Sequence, residues 1–281
     1  MEKFFKLKEN GTNIKTEVIA GFTTFMTIAY ILAVNPSILG ATGMDKGALF
    51  TATVISSLIA TLIMALLANL PFALAPGMGL NAFFAYTVVI GMGHSWQTAL
   101  TAVFMEGIIF ILFTAFNIRE AIVNSIPLNM KRAISVGIGL FIAFIGLQNA
   151  QIIVNNDATL ISLGNITSGN GLLAIIGIVI ISVLLSYNIK GAILIGILIT
   201  TIIGIPMGIT KLSPHGSFIP PSIEPIAFKL DFSNILSPEM IIVVFTFLFV
   251  DLFDTVGTLV GVCTKANMLT KDGEVPRCKQ A

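Results

Sequence analysis

Long, almost uninterrupted apolar blocks dominate the chain, at about 17–34, 48–69, 72–91, 97–116, 131–149, 171–187, 190–208 and 239–262. A helix needs about 20 apolar residues to cross roughly 30 Å of hydrocarbon. Within lipid, every backbone N–H and C=O has to be bonded inside the protein, and for blocks of this length the α-helix achieves that. Composition agrees. Of 281 residues, 56% are hydrophobic and only 10% charged, whereas a soluble domain has about 25% charged residues. The prediction is an all-α polytopic membrane protein with about eight transmembrane segments.

The basic residues sort by side. With both ends cytoplasmic, Lys3, Lys6, Lys8 and Lys15 precede the first span. Arg119, Lys131 and Arg132 lie between the fourth and fifth, Lys190 between the sixth and seventh, and Lys265, Lys271, Arg277 and Lys279 after the eighth. Only Lys46, Lys211 and Lys229 fall outside. Loops rich in Lys and Arg stay cytoplasmic, so an even number of spans with a cytoplasmic N-terminus is expected. The basic start runs into a full-length span without a small-residue cleavage site, unlike a secretory signal. A net charge of +1 gives no reason to expect nucleic acid. Two cysteines, Cys263 and Cys278, provide neither a disulfide framework nor metal-ligand spacing.

The third block, "LPFALAPGMGLNAFFAYTVVIG", carries Pro71, Pro76, Gly77 and Gly79 in its first half. Those residues interrupt a continuous helix. Its second half reads as a short helix with Asn81 as N-cap. A broken backbone at membrane depth is tolerated where it is buried in protein or lines a wet cavity, and transporters use such half-helix N-termini to hold substrates. The competing reading is a proline-kinked helix with a glycine packing seam. Gly77-Met78-Gly79 is no dinucleotide fingerprint, because no strand precedes it.

The eighth block contains "FLFVDLFDTVGTLVG", with Asp251 and Asp254 three positions apart and so on one helix face. Thr255 and Thr258 lie close by, and Gly257 and Gly261 form a small-xxx-small pair for close helix approach. Ionisable residues within spans are costly and mark substrate or ion pathways. The alternatives are an interfacial position for both acids, or a structural hydrogen bond from Asp251 to another helix. Glu106, in "VFMEGIIFILF", is a third intramembrane acid, equally open to a structural role. Thr27 adds a hydroxyl to the first span.

"FALAPGMGLNAFFAYTVV" together with "FLFVDLFDTVGTLVG" resembles the nucleobase–cation symporter family that includes the xanthine and uracil permeases. The likeness is to its AzgA-like branch of hypoxanthine, guanine and adenine permeases, and "EVIAGFTTFMTIAYILAVNPSIL" is similar to that branch as well. The resemblance implies a fold of seven plus seven spans in inverted repeats. Residues 1–120 would form core-domain spans 1–4, 121–238 gate-domain spans 5–7 with an outer loop, and 239–281 span 8 with a cytoplasmic tail. It assigns Gly79, Asn81 and Asp251 to substrate binding and Asp254 to transport. Asp254 is the expected proton carrier and Asp251 the base contact, with the two roles open to exchange, and the residues themselves offer Thr27, Thr255, Thr258 and Glu106 as support. The chain ends in "EVPRCKQA", where that family's ninth span would begin, and therefore reads as an N-terminal portion.

The expected function is secondary active transport of purine nucleobases across the plasma membrane by proton symport, in a possible homodimer. No cofactor is expected, and sodium coupling stays open because aspartate, hydroxyls and unwound carbonyls suit a hard cation. The rivals are an anion carrier of the same fold and a non-transporting membrane fragment. An intramembrane aspartyl protease fits poorly. Its two carboxyls must converge from separate elements, whereas Asp251 and Asp254 share one helix.

Overall fold

Asn13, Asp45, Ser95 and Ser237 each start a helix by accepting the backbone N–H three residues on, from Thr16, Ala48, Thr98 and Met240. In the computed structural model, which describes residues 2–9, 11–116, 128–211, 219–266 and 268, these caps open four of the principal helices. A short lead-in, α1 (Glu2–Phe5), precedes α2 (Ile14–Ile28) and α3 (Ile31–Leu39). Next come α4 (Lys46–Ile63), continued by a π-helical turn Met64–Ala68, and α5 (Met78–Ala82), continued by a π-helical segment Phe83–Gly91. They are followed by α6 (Trp96–Ala115), α7 (Leu128–Asn149), α8 (Gly169–Ser186), α9 (Ala192–Gly204) and α10 (Pro238–Lys265). Pro238 sits at the first helical position of α10, where its missing N–H costs nothing. Arg119, Lys271, Arg277, Cys278 and Lys279 lie outside the described residues.

Ile14–Thr42, Lys46–Ala68, Trp96–Ala115, Gly169–Ser186 and Pro238–Lys265 are long and apolar enough to cross a membrane, while Met78–Gly91, Gly139–Asn149 and Ala192–Gly204 are shorter apolar helices. Phe22, Leu58, Ile111, Ile202 and Ile242 all point outward and are exposed. Large apolar side chains on the outside of apolar helices form a lipid-facing surface, and the protein is an all-α polytopic membrane protein.

Two local departures from the sequence expectation stand out. The first span is interrupted at Ala29–Tyr30, between α2 and α3. The connection after α7, between two apolar blocks, contains an antiparallel hairpin, β1 (Ile153–Asn156) with β2 (Leu160–Leu163), paired from Ile153↔Leu163 to Asn156↔Leu160. Asn156 closes its turn by accepting from the N–H groups of Ala158 and Thr159.

The chain divides into two compact units. The first comprises Met1–Leu32 and Ala143–Ile219. Within it α8 and α9 pack as a helical hairpin, and α2 lies against α9. A β-carbon at Gly177 would stand 2.9 Å from Thr200 Oγ1, and one at Gly196 would collide with Ile181. Small residues let helix backbones approach in a medium that gives no hydrophobic drive between helices.

The second unit comprises Ala33–Ile142 and Pro220–Ala281. Here α6 packs along α10, and α5 with its π-helical continuation lies against both. The core centres on Ile38, Leu49, Phe84, Val88, Met240 and Phe247, with Phe83 edge-on to Phe247 at 5.0 Å between ring centroids. The proline-rich connection before α10 is ordered where described. Thr51 Oγ1 donates to the Pro221 carbonyl at 2.8 Å. Asp231 accepts from Thr98 Oγ1 at 3.1 Å, and its own N–H donates to Thr101 Oγ1 at 2.8 Å.

Candidate functional site

Helix structure stops at Asn69, which takes a left-handed conformation (φ 52°), and resumes only at Met78. The residues between run without helical bonds, so their polar groups need other partners inside a membrane. Thr61 supplies some. Its hydroxyl accepts from the Leu74 N–H at 3.0 Å and donates to the Leu74 carbonyl at 3.3 Å. The third span is thus a broken element, as its prolines and glycines predict, and not a continuous kinked helix.

The half-helix begins four residues earlier than expected. Gly77, in an extended conformation, is the N-cap, and the Asn81 N–H already donates to the Gly77 carbonyl at 3.1 Å. Asn81 therefore does not cap the helix; it sits in the first turn. The reason lies across the unit. A β-carbon at Gly77 would stand 2.9 Å from Asp254 Oδ2, so a cap with a side chain would have to displace that carboxyl. A carboxylate at a helix start faces the positive end of the helix dipole and its unbonded N–H groups.

Relieved of capping, the Asn81 side chain reaches sideways and donates to Asn35 Oδ1. Asn35 in turn donates to Thr53 Oγ1 at 2.8 Å, and Thr53 donates to the Leu49 carbonyl at 2.7 Å. This chain ties α3, α4 and the half-helix together. Asn35 was not singled out by the sequence reading, although an asparagine just before Pro36 inside an apolar block is itself a signal.

Glu106 belongs to the same region. It is only 7% exposed, and its Oε1 is buried with no hydrogen-bond partner among the described residues. It lines a cavity of about 450 Å³ together with Asn35, Thr53, Ser56, Gly77 and Asn81. The Glu106 and Asp251 carboxyls act on each other through space.

Asp251, Asp254 and Gly79 are not on the wall of this cavity. Gly79 lies in the first turn of α5, and Asp251 and Asp254 are half-buried on α10. Thr255 is half-buried and Thr258 exposed. A β-carbon at Gly261 would meet nothing within 4 Å, so that glycine is not part of a packed seam among the described residues. Thr27 belongs to the other unit, where its hydroxyl donates back to the Thr24 carbonyl at 2.6 Å.

A polytopic membrane protein with an interrupted helix opposed by an acidic one has the makings of a transport protein. The chain belongs to the Permease family, whose signature matches residues 15–281. It is 46% identical to adenine permease AdeP and 43% identical to adenine permease AdeQ, both of Escherichia coli K12. In each case the match covers all of this chain and 63% of the relative. It is also 43% identical to guanine/hypoxanthine permease PbuG of Bacillus subtilis, over all of this chain and 66% of that protein. The chain spans less than two thirds of the length of these relatives and corresponds to their N-terminal portion.

Proposed function

We propose that this chain is part of a secondary active transporter that takes up purine nucleobases by proton symport. The observation that carries this reading is the apposition of Asp254 to Gly77, which joins the acidic helix to the start of the half-helix. Relatives named as adenine and guanine/hypoxanthine permeases support the cargo.

A neutral purine presents adjacent N–H donors, which a carboxylate accepts as a pair. Asp251 takes that role, Asn81 adds a donor and an acceptor, and Gly79 keeps the half-helix backbone accessible. Asp254 carries the proton, beside the start of the half-helix. Membrane potential then contributes about 2.3 kcal/mol per charge for each 100 mV. In this reading the protein sits in the plasma membrane with a cytoplasmic N-terminus, as its charge asymmetry supports, and forms a homodimer, as the family resemblance supports. Spans 1–4 belong to a core domain, spans 5–7 to a gate, and span 8 opens a second repeat.

The test is uptake of labelled hypoxanthine, guanine and adenine into proteoliposomes carrying the intact reading frame. Accumulation should follow an imposed pH gradient and ignore sodium. Sodium-driven uptake would reassign the coupling ion, and no uptake of any purine would sink the reading.

A further inference from the structure

We infer that the cavity within the second unit is a binding pocket for a planar, N–H-donating heterocycle, and that Glu106 accepts a hydrogen bond from it. The inference rests on the purine reading above, shares Gly77 and Asn81 with that site, and adds Glu106 as a further contact to the same ligand.

Its volume comes first. About 450 Å³ falls within the range of roughly 300–1,000 Å³ common for small-molecule pockets. The wall is mostly apolar, with Phe84 and Phe247 offering aromatic surface and Asn35, Thr53, Ser56 and Asn81 a few polar points. Flat heterocycles bind in pockets of this make-up, where apolar faces take the ring and sparse polar groups fix its edge.

Unfilled bonding capacity comes second. Glu106 is buried, yet Oε1 has no partner among the described residues. A buried polar atom left unbonded is costly, and each one in a native protein calls for an explanation. A ligand N–H answers it, since a carboxyl oxygen that carries no proton accepts. Asn81 spends one N–H on Asn35, which leaves its second N–H and its oxygen for the same ligand. Charge narrows the ligand further. An acid on the wall disfavours an anion, leaving a neutral donor.

Two measurements on the intact reading frame in membrane vesicles test this. In the first, Ser56→Cys places a thiol on the cavity wall, and mass spectrometry of that peptide follows its alkylation by a permeant maleimide. Saturating purine should slow alkylation at least five-fold. An unchanged rate, in vesicles that bind labelled purine, would overturn the pocket while leaving the transport reading intact. Slowing by sodium alone would give the cavity to a cation and overturn it too. Vesicles that bind no purine would defeat the transport reading itself and the pocket with it.

In the second, Glu106→Gln should weaken purine binding at least ten-fold. It should also erase the preference for hypoxanthine over 1-methylhypoxanthine, which lacks one N–H. Glu106→Asp should retain part of that preference. A packing role alone would lower thermal stability and leave the preference unchanged, and that result would overturn the inference. Should Glu106→Gln fail to fold, the alkylation measurement decides.

Discussion

Asp254, on α10, holds a carboxylate oxygen 2.9 Å from where a β-carbon on Gly77 would stand. The glycine is there for close approach, since its φ of −70° suits any residue. Gly77→Ala must push the carboxyl aside. The displaced atom is the tip of a short side chain, so the stability change should be under about 1 kcal/mol, whereas purine uptake should fall at least ten-fold. Paired thermal unfolding and uptake assays check both halves.

Asp251 and Asp254 should separate by phenotype. Asp251→Asn removes a charged acceptor, worth about 1.5–3 kcal/mol in a hydrogen bond, and should weaken purine binding roughly 10- to 150-fold. Asp254→Asn should leave binding within about three-fold and abolish uptake driven by a pH gradient. Equilibrium binding and gradient-driven uptake on the same preparations distinguish the two. Wild-type behaviour of both variants would defeat the assignment.

Asn35 is 4% exposed and joins Asn81 to Thr53. Asn35→Ala leaves the Asn81 carboxamide without its acceptor, at a cost of about 1–3 kcal/mol. The melting temperature should drop, and purine affinity should weaken because Asn81 is no longer held. Unaltered affinity in a destabilised variant would confine Asn35 to the fold.

Gly196 packs against Ile181 where α8 meets α9. Gly196→Leu overpacks this seam and should destabilise by about 1–3 kcal/mol. Gly261→Ala, facing open space, should be close to neutral. Melting curves of the two variants in one detergent give the contrast.

Asp231 lies in the connection before α10, outside the membrane spans. Hydrogen bonds from the Ser233 hydroxyl, the Ser233 N–H and the Thr98 hydroxyl hold its pKa below the usual carboxylate value. A lowered folded-state pKa contributes stability that is present above the unfolded value of about 3.9 and is lost as pH falls through the folded one. Asp231→Asn should therefore melt lower than wild type at neutral pH, and the two curves should converge in strong acid. A gap that persists there would mean packing, not charge, holds the loop.

Much of the architecture was legible because lipid imposes a simple rule. Apolar blocks of spanning length must be helical, and Pro71, Pro76, Gly77 and Gly79 in one of them announced a break. Acids at 106, 251 and 254 were conspicuous for the same reason, being expensive in hydrocarbon. Register was not legible. Asn81 has every property of an N-cap, yet Gly77 takes that place, where the absence of a side chain lets Asp254 approach without displacement. The interruption at Ala29–Tyr30 and the hairpin from Ile153 to Leu163 were also missed, as both depend on local backbone geometry that hydropathy does not encode.

From its residues alone, then, this chain is a multi-pass helical membrane protein with a broken third span and buried acids, since hydrocarbon penalises every unbonded backbone group and every charge. Which polar groups meet was decided by tertiary packing. Asn35, Thr53 and Asn81 are far apart in sequence and become one hydrogen-bonded chain only when three helices close around a cavity. Glu106 comes to line that cavity for the same reason, with an oxygen that no donor among the described residues reaches.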